Sequence, residues 1–230
     1  MKSAQALLAL AEREGVRACF ANPGTSEMHL VAALDSAPGI RPILCLFEGV
    51  ATGAADGYGR MMQAPALTLL HLGPGLGNGL ANLHNAFRAR TPIVSLIGEH
   101  ATHHRANNPP LASDIASLAR PVSSWVKTAE TTEDLLNLTR EAIDAARSSG
   151  PAALILPADV AWSDDEPKPT SARSAQNSSA ESANLEEAAR LLGPRSVLLL
   201  GGRFLSAEAC AAAQRIGAKT GALVLIETFP

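Results

Sequence analysis

Short apolar runs alternate with helical stretches along most of the chain, and this alternation limits the fold more than any other feature. The runs lie at residues 16–21, 43–47, 66–71, 92–98, 124–128 and 152–157. The spacing predicts helices over 3–14, 26–36 and 48–63, one leading to Arg90, and one over 132–148. Apolar runs of this length read as buried strands. Parallel strands need long crossovers, and the helices between the runs supply them. The expectation is an α/β fold, a parallel sheet flanked by helices on both faces.

Beyond Pro157 the character of the chain changes. Residues 164–183 contain Asp164, Asp165, several Ser and Ala, and hardly any large apolar side chain. They read as an exposed linker between a first domain, 1–163, and a segment at 184–230. That segment predicts helix, strand, the Gly201–Gly202 turn, helix and strand. This is one βαβ unit, too small to bury both faces of a sheet, so 184–230 reads as the start of a Rossmann-like central domain, truncated at Pro230.

Composition excludes several classes. The 230 residues are 47% hydrophobic and 18% charged, which rules against disorder throughout. A net charge of −3 without a basic block offers nothing for nucleic acid. The N-terminal apolar run is short and broken by Glu12, so it reads as an amphipathic helix. No stretch is long and apolar enough for a membrane span. Cys19, Cys45 and Cys210 show neither metal spacing nor a disulfide framework. Free thiols in a reducing cytoplasm are the simplest expectation.

Open α/β sheets bind ligands at the carboxyl ends of their strands, so residues there carry the functional reading. The run 43–47 ends at Glu48, just before an Ala- and Gly-rich helix. A carboxylate there is costly to bury unless paired. Glu48 is thus a site candidate, or else a solvated residue that caps the next helix. His71 ends another run, as a satisfied structural histidine or as a site residue if Glu48 and the Thr25–Ser26 turn share its edge. The stretch Gly73–Gly79 lacks P-loop and dinucleotide spacing. It predicts a tight strand-to-helix turn that lets backbone approach a ligand, with Asn78 and Asn82 able to add hydrogen bonds. Thr25 or Ser26 can cap the helix at 26–36, with Glu27 in its first turn. His100, His103 and His104 have spacing compatible with metal ligation on a helix. Asn107-Asn108-Pro109-Pro110 opposes a helix there, and no nearby carboxylate or Cys completes a set, so no metal ligand is assigned.

Four motifs, taken in order, resemble one family. They are Asn22-Pro-Gly-Thr-Ser-Glu27, Phe47-Glu48-Gly-Val-Ala-Thr-Gly-Ala-Ala-Asp56-Gly-Tyr-Gly-Arg60, Gly73-Pro-Gly-Leu-Gly-Asn78 and Arg90-Thr-Pro-Ile-Val-Ser-Leu-Ile-Gly98. They are similar to the N-terminal pyrimidine-binding domain of thiamine-diphosphate enzymes of the acetolactate synthase and benzoylformate decarboxylase group. The resemblance implies decarboxylation or carboligation of a 2-oxo acid. It implies that Glu48 hydrogen-bonds N1′ of the cofactor's aminopyrimidine and helps to activate it. By the same resemblance Pro23, Gly24, Gly73, Gly75 and Asn78 lie near the cofactor, Thr25 and Ser26 contact substrate, and His71 transfers protons. The family holds Mg²⁺ and the diphosphate through a Gly-Asp-Gly motif with a later Asn on a further domain. This sequence lacks that motif, so the chain is expected to supply half of each site, facing a diphosphate domain of the same or another subunit in a homo-oligomer. Some relatives carry FAD, for which no residue here argues. The other expectation, of a different class, is an α/β module that binds a partner or small ligand without turnover.

Overall fold

The structure is a computed structural model that describes residues 2–165, 167, 182–202 and 205–227. The chain divides into two compact units, residues 1–170 and 171–230. Most of the linker expected over 164–183 lies outside the described residues, and its last two positions open a helix.

In the first unit the strands are β1 (Ala18–Asn22), β2 (Arg41–Leu44), β3 (Ala66–Leu70), β4 (Ile93–Glu99), β5 (Trp125–Thr128) and β6 (Ala152–Pro157). The helices are α1 (Lys2–Arg13), α2 (Met28–Leu34), α3 (Glu48–Met62), α4 (Leu72–Ala89), α5 (Ile115–Ala119), α6 (Thr132–Ser149) and α7 (Ala158–Trp162). All neighbouring strand pairs are parallel, in the order β2-β1-β3-β4-β6-β5. Both faces are covered, as the expected α/β fold requires. One core joins Leu7, Leu30, Ile143 and Val160, from α1, α2, α6 and α7. The other joins Ala51, Leu76, Leu83 and Ile115, from α3, α4 and α5. Strands β3, β4 and β6 are buried along their whole length, which is why they read as unbroken apolar runs.

The strand order places the site. From β1 the chain moves outward to β2, whereas from β3 it moves the other way to β4. The adjacent strands β1 and β3 therefore flank the point where the winding reverses, the place where open α/β sheets form a ligand crevice at the carboxyl ends of their strands. Asn22 pairs with Leu70, so Pro23 and His71 leave the sheet side by side.

The structure corrects three expectations. The run at 43–47 is not a buried strand, because β2 is an edge strand that ends at Leu44 and is largely exposed. Gly73–Gly79 is not a turn but the first two turns of α4. Neither Thr25 nor Ser26 caps a helix at 26. Residues Thr25–Glu27 form a 3₁₀ turn, and the Glu27 carboxylate reaches back to accept from the Gly24 N–H at 2.7 Å.

The second unit contains α8 (Ser182–Leu191), β7 (Val197–Leu200), α9 (Ala207–Thr220) and β8 (Leu223–Ile226). Strands β7 and β8 pair in parallel as a two-stranded sheet, with α9 as the crossover. Leu199, Leu223, Leu225 and Ile226 on it remain exposed.

Candidate functional site

The site is built around a carboxylate that local pattern did not single out. Glu27 is fully buried. Its Oε2 accepts from the Gly24 N–H at 2.7 Å and faces His71 Nδ1 at 2.8 Å. Its Oε1 is buried without a hydrogen-bond partner and lies over Gly98, where a Cβ would fall 1.6 Å away. Only glycine at the end of β4 leaves room for this carboxyl group. Burial pushes the Glu27 carboxyl above its ordinary value, while the Gly24 N–H and His71 pull it back down. The sole sequence signal was an acid three residues after Gly24, where the backbone folds back onto itself.

His71 stands between the two loops of the crevice. A Cβ on Gly24 would fall 2.3 Å from His71 Nδ1, so the bare glycine backbone seats the imidazole. The next residue, Leu72, is a non-glycine at φ +53° and nearly fully buried. Such a conformation costs about 1–3 kcal/mol and is held only by its surroundings. His71 keeps 24% of its side chain exposed, so the imidazole is tied on one side and open on the other.

Glu48 enters from a third element. It is the first residue of α3, half-buried, and its Oε2 accepts from Asn78 Nδ2 at 3.0 Å. It does not cap the helix, since the cap position, Phe47, has an extended backbone and no side-chain bond. A Cβ on Gly75 would lie 3.4 Å from Glu48 Oε1 and 3.5 Å from His71 Cβ, so Glu48 and His71 flank that glycine.

The glycines of α4 make this approach possible. Thr52 of α3 donates across to the Gly79 carbonyl at 3.0 Å, and Asn82 Nδ2 donates back to the Gly49 carbonyl at 2.7 Å. Asn82 thus joins the two helices instead of lining the crevice. Gly73 faces away from Glu48 and packs against Ser113. Pro23 and Thr25 lie on the same loop as Gly24, with Thr25 exposed, and the Ser26 carbonyl accepts from Trp162 Nε1 at 3.0 Å.

The structure therefore gathers Gly24, His71, Gly75, Asn78 and Glu48 with the unforeseen Glu27. The histidines at 100–104 do not converge. His100 meets His104 edge-on at 5.9 Å, and His103 turns to Asp159 at 3.8 Å. Among the described residues no group of three or more His, Cys, Asp or Glu could hold a metal ion. No helix among them is long and apolar enough to cross a membrane.

Comparison with known proteins places these motifs in a common setting. Residues 1–118 match the family described as thiamine pyrophosphate enzyme, N-terminal TPP binding domain. Over 233 residues, 100% of this chain, the sequence is 51% identical to the Mycobacterium tuberculosis protein named "Putative acetolactate synthase large subunit IlvX". It is 31% identical over 135 residues, 58% of this chain, to benzoylformate decarboxylase of Pseudomonas aeruginosa. The chain spans 45% and 25% of these two relatives' lengths, respectively. A thiamine diphosphate-dependent 4-hydroxybenzoylformate decarboxylase from Rhodococcus jostii RHA1 superposes with a TM-score of 0.81 at 25% identity, covering 98% of this chain and 44% of that one.

Proposed function

The chain belongs to the thiamine pyrophosphate enzymes, as their N-terminal TPP-binding domain, and from that premise we propose that its crevice holds the aminopyrimidine of thiamine diphosphate in an enzyme acting on a 2-oxo acid. When bound, this cofactor supplies the electron sink that lets a bond to the carbonyl carbon of the 2-oxo acid break. One observation carries the reading. Glu48 Oε1 makes no hydrogen bond among the described residues and lies over the side-chain-free Gly75, while Asn78 engages Oε2. The arrangement leaves one carboxylate oxygen and an open surface of backbone, which suits a flat nitrogen heterocycle presenting a ring nitrogen.

In this reading each residue has one task. Glu48 holds a proton at N1′, and Asn78 fixes the carboxylate's orientation. Glu27 engages Nδ1 of His71 and leaves Nε2 to give or take a proton at the substrate. Pro23 and Gly24 border the cofactor, and Thr25 and Ser26 border the substrate. The described residues offer no cluster for Mg²⁺, so we assign the metal and the diphosphate to a further domain of the whole enzyme. Leu46, Phe47 and Val50, exposed beside Glu48, suit the contact with that domain or with a second subunit. The free cysteines Cys19, Cys45 and Cys210 suit a cytoplasmic setting.

Reconstitution tests the proposal. This chain is mixed with the C-terminal part of the Mycobacterium tuberculosis relative, thiamine diphosphate, Mg²⁺ and either benzoylformate or pyruvate. Restored decarboxylation is expected, and Glu48→Gln should lower it by about 10²–10⁴-fold. A stable complex without turnover would instead support a binding module.

A further inference from the structure

One side chain of the last helix of the first unit makes two contacts with the elements that carry Ser26 and His29. Trp162, the final residue of α7, donates its indole N–H to the Ser26 carbonyl at 3.0 Å. The same ring stacks on His29 of α2, with centroids 4.5 Å apart and planes 27° from parallel. The indole therefore grips the 3₁₀ turn Thr25–Glu27 at its middle carbonyl and the helix that follows through His29. His29 Nδ1 is buried without a hydrogen-bond partner.

Trp162 is itself held firmly. Val160 and Ala161 are buried just before it. Immediately after it, the Ser163 carbonyl accepts from the Ser3 N–H at 3.3 Å, which pins the segment to the start of α1.

The turn that Trp162 grips carries the buried acid. Ser26 precedes Glu27, whose Oε2 must meet both the Gly24 N–H and His71 Nδ1 while Oε1 lies over Gly98. Rotation of the Ser26–Glu27 peptide by a few degrees would move this carboxyl group. We infer that Trp162 is a positioning residue for the Glu27–His71 pair: it sets the 3₁₀ turn through the Ser26 carbonyl and so fixes the carboxylate against the imidazole. The inference rests on the reading of His71 as a working residue, but its test does not.

Backbone amide resonances supply that test on the full chain. The Gly24 amide donates to a carboxylate at 2.7 Å, and its proton shift reports that contact directly. The Gly39 amide donates to Glu12 Oε1 at 2.9 Å, the same chemistry at the other end of α1 from the Ser3–Ser163 contact, and serves as the internal reference. Trp162→Phe keeps an aromatic ring over His29 and removes the N–H. The expected result is a folded protein whose Gly24 amide proton moves upfield by a few tenths of a ppm, with Gly39 unmoved. Trp162→Ala should move it further. His29→Leu removes the stack from the opposite side and should shift Gly24 the same way if changes at 162 prevent folding. An unmoved Gly24 resonance in any folded variant of Trp162 would overturn the inference, because a purely structural role lowers stability without touching that bond. Failure of cofactor binding or of turnover would leave this outcome intact, so the two readings fail separately.

Discussion

At the scale of single residues, the chemistry of the crevice depends on which acid is buried. Glu27 is sealed under Gly98 and Gly24, and burial raises its pKa against the pull of His71 and the Gly24 N–H. In the pH window above the ordinary carboxylate range, the folded protein therefore holds a proton that the unfolded chain has released. Glu27's contribution to stability therefore falls as pH rises through that window and levels off above the raised value. Glu27→Gln keeps an oxygen that can accept from both the Gly24 N–H and His71 Nδ1 but carries no charge. Urea unfolding at a series of pH values should show the variant gaining on the wild type across the window. Parallel stability curves would contradict the burial argument. Glu48 differs in kind, since it is half-buried at a helix start and held by one amide. It suits an acid that must meet a ligand rather than hold up a fold.

At the scale of elements, α3 and α4 approach so closely that their glycines do separate jobs. A Cβ on Gly79 would lie 2.9 Å from Thr52 Cγ2, and Thr52 is fully buried and already donates to the Gly79 carbonyl. Gly79→Ala should thus cost about 1–3 kcal/mol through forced separation of the helices. A Cβ on Gly75 would make an ordinary contact, 3.4 Å from Glu48 Oε1. Gly75→Ala should raise the melting temperature, since Ala exceeds Gly in a helix by about 1 kcal/mol. It should also lose turnover in the reconstituted enzyme by filling the open surface beside Glu48. Calorimetric melting of the two variants with activity assays checks both signs. If both variants melted alike, the division of labour would be refuted.

At the scale of the whole molecule, the edge of the large sheet is unusually apolar. Leu44, Leu46, Phe47, Val50, Met61 and Met62 are exposed around β2 and α3, with Leu46 at 91%. Patches of this kind mark surfaces that another chain covers. Pro42 on β2 cannot donate to an added strand, which argues for side-chain docking over sheet extension. The chain should self-associate in light scattering as concentration rises. Leu46→Lys should shift it toward monomer with an unchanged melting temperature, because so exposed a side chain contributes little to the fold. A monomer at every concentration would count against the patch as an interface.

The alternation of apolar runs and helices was enough to establish a parallel α/β sheet, since the period and length of each run are local properties. The four motifs were likewise legible, and Glu48, His71 and Asn78 do share one crevice. The tertiary structure decided the rest. An edge strand and a central strand can carry the same apolar run, so β2 could be placed only by the strand order. Gly73–Gly79 reads as a turn until α3 is packed against it, with Glu48 beside Gly75 and Thr52 beside Gly79. Glu27 looks like a first-turn helix charge, because its partners His71 and Gly98 are brought to it by neighbouring strands β3 and β4 and not by local sequence. Burial is a sum over such distant neighbours, and a residue's own stretch of sequence contains no record of them.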